Sequence, residues 1–339
     1  MADASVAGAV PSSRSRSLGQ LVRQREASLI LIMVVFAVVA SVAAPQFLST
    51  SNISNVASLA SIAAVAAVGQ ALVVITRSID LSVEAVIGLV AYVVAVTLEG
   101  HTFDAPTAIV VGVGLGLVLG MVNGFIVTVL RVPAIVATLG TLSIFRGIDY
   151  LIAGSHQVAV AGLPPGFTDA AYDSILGIPV FVLITVAIVA IGTVALRFLP
   201  AGRRVYAVGS NPEAAEILGI PSRRVIFSAY ALCGMLAGVA GVMWVVQFGT
   251  INGTAATGFV LAVVAAVVVG GVNIFGGSGT LIGAALGAYF LGFVANALIL
   301  VGLSQFWLQF IYGVVILGAI SADALVRRRL QRAPGRRAI

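Results

Sequence analysis

A small set of ionisable and amide side chains interrupts the long apolar runs of this 339-residue chain. Arg146 and Asp149 are three residues apart, so on a helix they share one face and can pair. Asp80 precedes one apolar run, and two amides lie within others, at Asn123 and Asn296. Polar groups in an apolar environment need a partner or line a water-filled path. These five residues are therefore candidates for a translocation path or gate.

Each of these candidates also has a structural explanation. Arg146 and Asp149 would form an ion pair near the outer end of a span, or they would line the path. Asp80 or Ser82 would cap the helix that follows. Alternatively, Asp80 would act in gating. The two amides would join helices through hydrogen bonds, or they would contact the solute. The sequence leaves these alternatives open.

Several kinds of chemistry are not supported by the residue types present. All 18 basic residues are arginine, and a phosphate-binding P-loop needs a lysine to reach the phosphates. The two histidines and the single cysteine, Cys233, match no metal-binding spacing and no catalytic triad. We therefore expect a chain that is not an enzyme, does not hydrolyse ATP, and holds neither a metal nor a cofactor.

The composition indicates a protein solvated by lipid. Hydrophobic residues make up 60% of the chain and charged residues only 9%, with a mean hydropathy of +1.15. A soluble protein carries about 25% charged residues, whereas a helix that crosses a bilayer needs about 20 apolar residues. Ten apolar runs are present: 29–44, 53–76, 82–98, 107–130, 132–152, 178–198, 225–246, 258–275, 280–302 and 304–322.

The distribution of arginine predicts the orientation of these spans. With the N-terminus inside, ten spans place 17 of the 18 arginines in cytoplasmic segments, and only Arg146 lies within a span. Arginine and lysine concentrate on the cytoplasmic side of membrane proteins. We predict an all-α, polytopic helical bundle of about ten spans with both termini cytoplasmic, and the net charge of +6 then indicates no nucleic-acid partner. The predicted parts are an N-terminal segment 1–28, a transmembrane domain 29–322 and a tail 323–339.

The first apolar run also has features of a signal peptide. Ser41-Val42-Ala43 is similar to a small-residue cleavage site, and arginines precede the run. Because many further spans follow, we favour an uncleaved first helix.

The polar segment between the sixth and seventh spans, 199–224, predicts a short helix with a stop at each end. Asn211 is suited to cap a helix whose first residue is Pro212, and Glu213 favours the positive end of the helix dipole. Gly219 suits the position after the last turn, and a proline follows two residues later. A helix of about two turns is marginal in water, so it would lie on the membrane surface or dock on a partner.

Four segments carry a recognisable pattern in order along the chain. They are Ile79-Asp80-Leu81-Ser82-Val83; Asn123-Gly124 through Pro133, with Ala137-Thr138-Leu139-Gly140-Thr141 and Phe145-Arg146-Gly147; Gly209-Ser210-Asn211 with Ala214-Ala215 and Leu218-Gly219-Ile220; and Gly270-Gly271-Val272 with Phe275-Gly276-Gly277-Ser278-Gly279-Thr280. Over about residues 50–323 they resemble the ribose-type branch of ABC importer permeases, and most of all its rhamnose- or ribose-type members.

Two positions depart from the pattern of that branch. The family usually has glycine after the Asp-Leu-Ser-Val run, where this chain has Glu84. The family also commonly has an acidic pair after the Gly-aromatic pair at 258–259, where this chain has Val260, Leu261 and Ala262. Roles that the family assigns to these positions do not carry over.

The resemblance implies a membrane subunit that works with several partners. These are ABC ATPase subunits that hold ATP and Mg²⁺, a periplasmic or extracellular sugar-binding protein, a second permease copy or paralogue, and the lipid of the bacterial inner membrane. The cargo would be a monosaccharide such as ribose or rhamnose. The residues implied for ATPase docking are Asn211, Glu213, Ala214, Ala215, Leu218 and Gly219.

Two other functions remain open at this point. A stand-alone secondary transporter or channel for a small polar solute would use intramembrane acidic residues for ion coupling, and few are present. A membrane enzyme would need a nucleophile, metal or cofactor motif, and the chain has no recognisable one.

Overall fold

The computed structural model describes residues 18–332 except 101, 165 and 305. Most of this part is helical, and a two-stranded antiparallel hairpin lies between α5 and α6. The helices are α1 (Leu18–Ala43), α2 (Thr50–Ile75), α3 (Val83–Glu99), α4 (Ala105–Thr128), α5 (Ala134–Ala153), α6 (Val180–Phe198), α7 (Pro200–Ser210), α8 (Pro212–Ile217), α9 (Ser222–Phe248), α10 (Phe259–Val269), α11 (Leu281–Leu300) and α12 (Phe306–Arg332). The strands are β1 (Ser174–Ile175) and β2 (Ile178–Pro179).

All ten predicted apolar runs form helices, but fewer than ten are long enough to span a bilayer. Among the described residues, seven helices have the length and composition of a membrane span: α1, α2, α4, α5, α6, α9 and α11. The exceptions are α3 with 17 residues, α10 with 11 and the apolar part of α12, Phe306–Gly318. Eleven residues rise only about 17 Å, against a hydrocarbon core of about 30 Å. The predicted all-helical, polytopic bundle is therefore confirmed, with seven candidate spans and shorter apolar helices among the described residues.

The polar segments at the two ends of the chain are partly helical. Helix α1 begins at Leu18, inside the predicted N-terminal segment 1–28, and α12 continues to Arg332, inside the predicted tail 323–339. The remainder of those segments lies outside the described residues. The internal polar segment 199–224 consists of α7, α8 and the start of α9.

The centre of the bundle is formed by α2, α3 and α9, most of whose residues are buried. Helix α4 packs antiparallel to α9 through glycines four residues apart. A Cβ at Gly116 would overlap the carbonyl oxygen of Gly234, and a Cβ at Gly120 would overlap that of Tyr230. Such close backbone contact is how membrane helices associate when hydrophobic burial gives little driving force.

One end of the bundle collects the arginines outside the spans. The end of α2 meets the end of α7 there, and the antiparallel α4–α9 pair brings the end of α4 beside the start of α9. We call this the arginine-rich end, and its arginines are Arg77, Arg131, Arg203, Arg204, Arg223 and Arg224. At the opposite end, His156 Nε2 lies 2.6 Å from Glu99 Oε2.

Candidate functional site

The chain between α2 and α3 is a buried, non-helical break rather than a simple turn. Arg77 has a φ of +65°, and Asp80 and Ser82 are buried. Asp80 Oδ1 accepts hydrogen bonds from Ser82 N at 2.9 Å and from Ser82 Oγ at 2.7 Å. Neither side chain caps α3, because Ser82 at the cap position makes no side-chain cap bond. The capping explanation of Asp80 is therefore wrong, and the carboxylate instead holds the break itself.

Four other helical residues satisfy the polar groups of this break. Asn123 Nδ2 on α4 donates to Ser82 Oγ at 2.7 Å and lies 3.3 Å from Asp80 Oδ2. The Tyr230 hydroxyl on α9 donates to Ile79 O at 3.1 Å. Gln70 on α2 makes two hydrogen bonds to the backbone of Asp80 when its amide is oriented so that donors meet acceptors. Its side-chain oxygen accepts from the Asp80 N–H at 3.2 Å, and its side-chain nitrogen donates to the Asp80 carbonyl oxygen at 3.1 Å. Thr138 Oγ1 on α5 lies 3.4 Å from Ile79 O.

The break is thus fixed to four helices at once. Exposed backbone groups within a membrane must be satisfied by protein, since lipid offers no hydrogen bonds. Asn123 thus links α4 to the break rather than to another helix. We call Gln70, Asp80, Ser82, Asn123 and Tyr230 the α2–α3 node.

A buried charged cluster links α3, α5 and the start of α10. Arg146 Nη1 lies 3.6 Å from Asp149 Oδ2, so the ion pair expected from their spacing is present. Arg146 Nη2 lies 3.7 Å from Glu84 Oε1, and Nη1 donates to Ala255 O at 2.7 Å. Glu84 Oε2 accepts a hydrogen bond from Val260 N. We call Glu84, Arg146 and Asp149 the charged cluster.

Glu84 is the member of the charged cluster that the sequence did not assign to a site. The available signal was its departure from the family pattern, which marked it as unusual without indicating a partner. Among the described residues, no three His, Cys, Asp or Glu side chains come together in a metal-binding group.

Asn296 takes part in a third, separate contact. Its side-chain amide exchanges two hydrogen bonds with Asn52, at 2.9 and 3.0 Å, and Asn52 also donates to Phe47 O at 2.8 Å. The contact joins α11 to the start of α2. The structure therefore divides the five predicted path residues among three places, the α2–α3 node, the charged cluster and this amide pair.

A sizeable cavity lies elsewhere in the bundle. A cavity of about 550 Å³ opens between α2, α9, α10, α11 and α12, and none of the five predicted path residues lines it. Trp244, Phe248, Phe259 and Tyr312 supply aromatic surface, and Gln309 supplies an amide.

Helix α8 has the caps that its sequence predicts. Asn211 Oδ1 accepts a hydrogen bond from Ala214 N at 3.1 Å, and Gly219 has a φ of +75° after the last turn. One face of α8 is anchored: Ala215 is 2% exposed and packs against Val208 and Val225.

The other face of α8 is open at the arginine-rich end. Ile217 is 86% exposed and Leu218 is 78% exposed, and Glu213 and Ala214 are exposed as well. Ala215 cannot belong to a docking surface, because it is buried against Val208 and Val225. Ile217, which was not among the residues implied for docking, does lie on the exposed face. Two large apolar side chains therefore lie exposed beside an acidic residue on this face.

The residues just before α8 pack tightly on two other elements. A Cβ at Gly209 would overlap the Ile75 carbonyl oxygen at the end of α2 and would lie 2.6 Å from Gly277 N. Gly277 N donates to that same Ile75 oxygen at 2.9 Å. We call Ile75, Gly209, Gly276 and Gly277 the glycine junction, and it connects α7 to the chain two residues before Arg77.

Tyr206 on α7 makes a further hydrogen bond beside the glycine junction. Its hydroxyl donates to Gly279 O at 2.9 Å, and burial raises the pKa of the phenol, so it remains a donor near neutral pH. The glycine-rich stretch 276–279 thus forms a turn packed against α7.

The chain is also similar to known proteins. Residues 52–320 match the family described as the permease component of the branched-chain amino acid transport system. The chain is similar to the autoinducer 2 import system permease protein LsrC of Enterobacter sp. (strain 638), 36% identical over 313 residues, which cover 92% of this chain and 90% of the relative.

Relatives from other bacteria give the same result. The protein of that name from Salmonella typhimurium is 37% identical over 91% of this chain and 88% of the relative. The one from Escherichia coli (strain K12 / DH10B) is 35% identical over 91% of this chain and 89% of the relative. No solved structure matches the chain. The chain therefore belongs to this permease family, as a multi-pass membrane protein and a non-catalytic transport subunit of an ABC importer.

Proposed function

We propose that this chain forms part of the translocation path of an ATP-driven importer and is driven by an ATPase subunit docked on α8. An external binding protein delivers the solute, and a second permease copy or a paralogue completes the path. The arginine-rich end is the cytoplasmic side, since basic residues concentrate there. The membrane is the bacterial cytoplasmic membrane.

The observation that carries this proposal is the construction of α8. The helix is too short to be stable alone, yet it is capped at Asn211, anchored through Ala215 and exposes Ile217 and Leu218 on the arginine-rich end. A helix held so firmly while presenting apolar side chains is suited to fit a groove on another protein.

A continuous set of contacts leads from α8 into the membrane. Asn211 follows α7 directly, and α7 touches Ile75 and the glycine-rich turn through the glycine junction. The break that contains Asp80 begins one residue after Ile75. A displacement of α8 by the ATPase would therefore reach the α2–α3 node through packed backbone rather than through flexible side chains.

The cargo we propose is autoinducer 2 or a monosaccharide. Autoinducer 2 is in the names of the relatives, whose match covers about nine-tenths of this chain. The monosaccharide assignment rests on the resemblance to the ribose-type branch in the turn at 79–83 and the stretch 138–147.

The test is uptake into proteoliposomes. The chain is reconstituted with the ATPase and binding protein encoded by neighbouring genes, and accumulation of labelled autoinducer 2, ribose and rhamnose is measured with and without ATP. We expect ATP-dependent accumulation of one of these solutes and none when the ATPase is omitted. Equal uptake without the ATPase would overturn the proposed drive.

A further inference from the structure

An apolar groove of about 370 Å³ lies between α6, α7 and α9 at the arginine-rich end. Its walls are almost entirely aliphatic, and the polar side chains among its lining residues are those of Arg204, Arg224 and Ser228. The apolar part is formed by Leu72, Leu196, Val205, Val225, Ala229 and Leu232. The groove is not part of the α2–α3 node, the charged cluster or the exposed face of α8.

The groove is placed where a lipid tail can enter it. Helix α6 has only two buried residues, Phe181 and Thr185, and its other residues are partly or fully exposed. Gly192 and Ala195 on α6 are among the residues that line the groove. On α9, Leu232 is 42% exposed, which opens the groove sideways.

Helix α7 forms the upper wall and is amphipathic. Gly202, Val208 and Gly209 are buried, while Arg203 and Arg204 are exposed. A short helix of this kind at the end of a span is suited to lie in the interfacial plane of the membrane. That position puts the two groove arginines at the depth of the lipid headgroups.

The two groove arginines form no ion pair within the described part of the chain. The ion pairs there involve Arg146 and His156, and neither Arg204 nor Arg224 takes part in one. A guanidinium group binds a phosphate through two parallel hydrogen bonds. Two such groups at the mouth of an aliphatic groove match a molecule with an anionic phosphate at one end and a hydrocarbon chain at the other.

We propose that this groove binds one anionic phospholipid of the cytoplasmic leaflet, with its phosphate between Arg204 and Arg224 and an acyl chain along α6 and α9. Basic pockets between membrane helices on this side are favourable for anionic headgroups. Because α7 forms a wall of the groove and also belongs to the glycine junction, the bound lipid would hold α7 against the bundle next to α8.

The experiment is lipid titration of the full-length, detergent-purified chain followed by native mass spectrometry. The probes are phosphatidylglycerol, phosphatidylcholine with the same acyl chains, and glycerol 3-phosphate as the headgroup without a tail. The test variant is R204Q/R224Q. The matched control is R203Q/R223Q, which changes the net charge equally at neighbouring exposed positions outside the groove lining.

We expect one phosphatidylglycerol to bind in preference to phosphatidylcholine, and R204Q/R224Q to weaken that binding about 25-fold, or about fivefold for each arginine. R203Q/R223Q should weaken it by much less. A195F, which fills the groove and keeps both arginines, should also lose the bound lipid, and it tests the proposal independently if the double variant fails to fold.

Several results would overturn the proposal. Equal weakening by the two arginine pairs would indicate diffuse charge attraction rather than a site. Displacement of the lipid by glycerol 3-phosphate at similar concentration would indicate a phosphate site without a role for the groove. Loss of the lipid whenever the ATPase is bound would assign this surface to the ATPase.

Discussion

Glu84 Oε2 accepts a hydrogen bond from the backbone N–H of Val260 at 3.1 Å, so the two positions at which the chain departs from its family pattern are in contact. The carboxylate comes from the start of α3 and reaches the first turn of α10, where a negative charge favours the helix dipole. The family pattern has acidic residues on α10 itself and glycine at the position of Glu84. The same place thus receives its carboxylate from a different helix.

Removing the Glu84 carboxylate should destabilise the chain. In Glu84→Ala, Val260 N and Arg146 Nη2 both lose a buried partner, at a cost of about 1–3 kcal/mol. In Glu84→Gln, an amide oxygen still accepts from Val260 N, so the loss should be smaller. The midpoint of thermal unfolding in detergent measures both. Equal midpoints for the two variants would contradict the role of the hydrogen bond.

Returning the carboxylate to α10 should compensate for its loss from α3. We expect Glu84→Gly to lower the unfolding midpoint. The double variant E84G/V260E should recover part of that loss, because a carboxylate at position 260 would lie next to the place that the Glu84 carboxylate occupies. V260E alone should not stabilise, since it adds a second carboxylate next to Glu84. A double variant no more stable than E84G would show that the two positions are not interchangeable.

The Asn52–Asn296 pair should show measurable coupling between α2 and α11. Each single change to alanine leaves one amide without its partner, whereas the double variant removes both. A double-mutant cycle on unfolding free energies should give a coupling of about 0.6 kcal/mol and no more than about 1.7 kcal/mol, the range found for hydrogen bonds between membrane helices. Strict additivity would contradict the pairing.

Gly209→Ala should leave ATPase binding intact and abolish the stimulation of ATPase activity by the loaded binding protein. The added Cβ would overlap the Ile75 carbonyl oxygen and push α7 away from α2, at a cost of about 1–3 kcal/mol. The face of α8 would stay intact, so the ATPase should still co-purify while its stimulation by the loaded binding protein is lost. Gly140→Ala is the matched control, because a Cβ there meets nothing within 4 Å. Full stimulation in Gly209→Ala would contradict transmission through the glycine junction.

The sequence predicted local features better than long-range partners. The caps of α8 follow from Asn211, Pro212 and Gly219 within nine residues, and the structure has each of them. The pair Arg146–Asp149 likewise follows from helix spacing. Glu84 is 62 residues from Arg146 and 176 from Val260, a contact that no local pattern specifies.

The end of α10 and the role of Ala215 show where composition misleads. The run 258–275 is apolar throughout, yet α10 ends at Val269 because Gly270 and Gly271 form a turn there. Ala215 lies in α8, which is too short for its hydrophobic pattern to show which face is buried. The packing of Ala215 against Val208 and Val225 identifies that face.

The most direct test of the account is co-purification of the ATPase with a variant of α8. In I217D/L218D the two exposed apolar side chains become charged without disturbing the anchored Ala215. The matched control is I175D/L176D, an exposed Ile-Leu pair in the hairpin between α5 and α6. We predict that I217D/L218D inserts into the membrane normally but retains no ATPase, and that I175D/L176D retains it fully. Recovery of the ATPase with I217D/L218D at the wild-type level would contradict docking on α8.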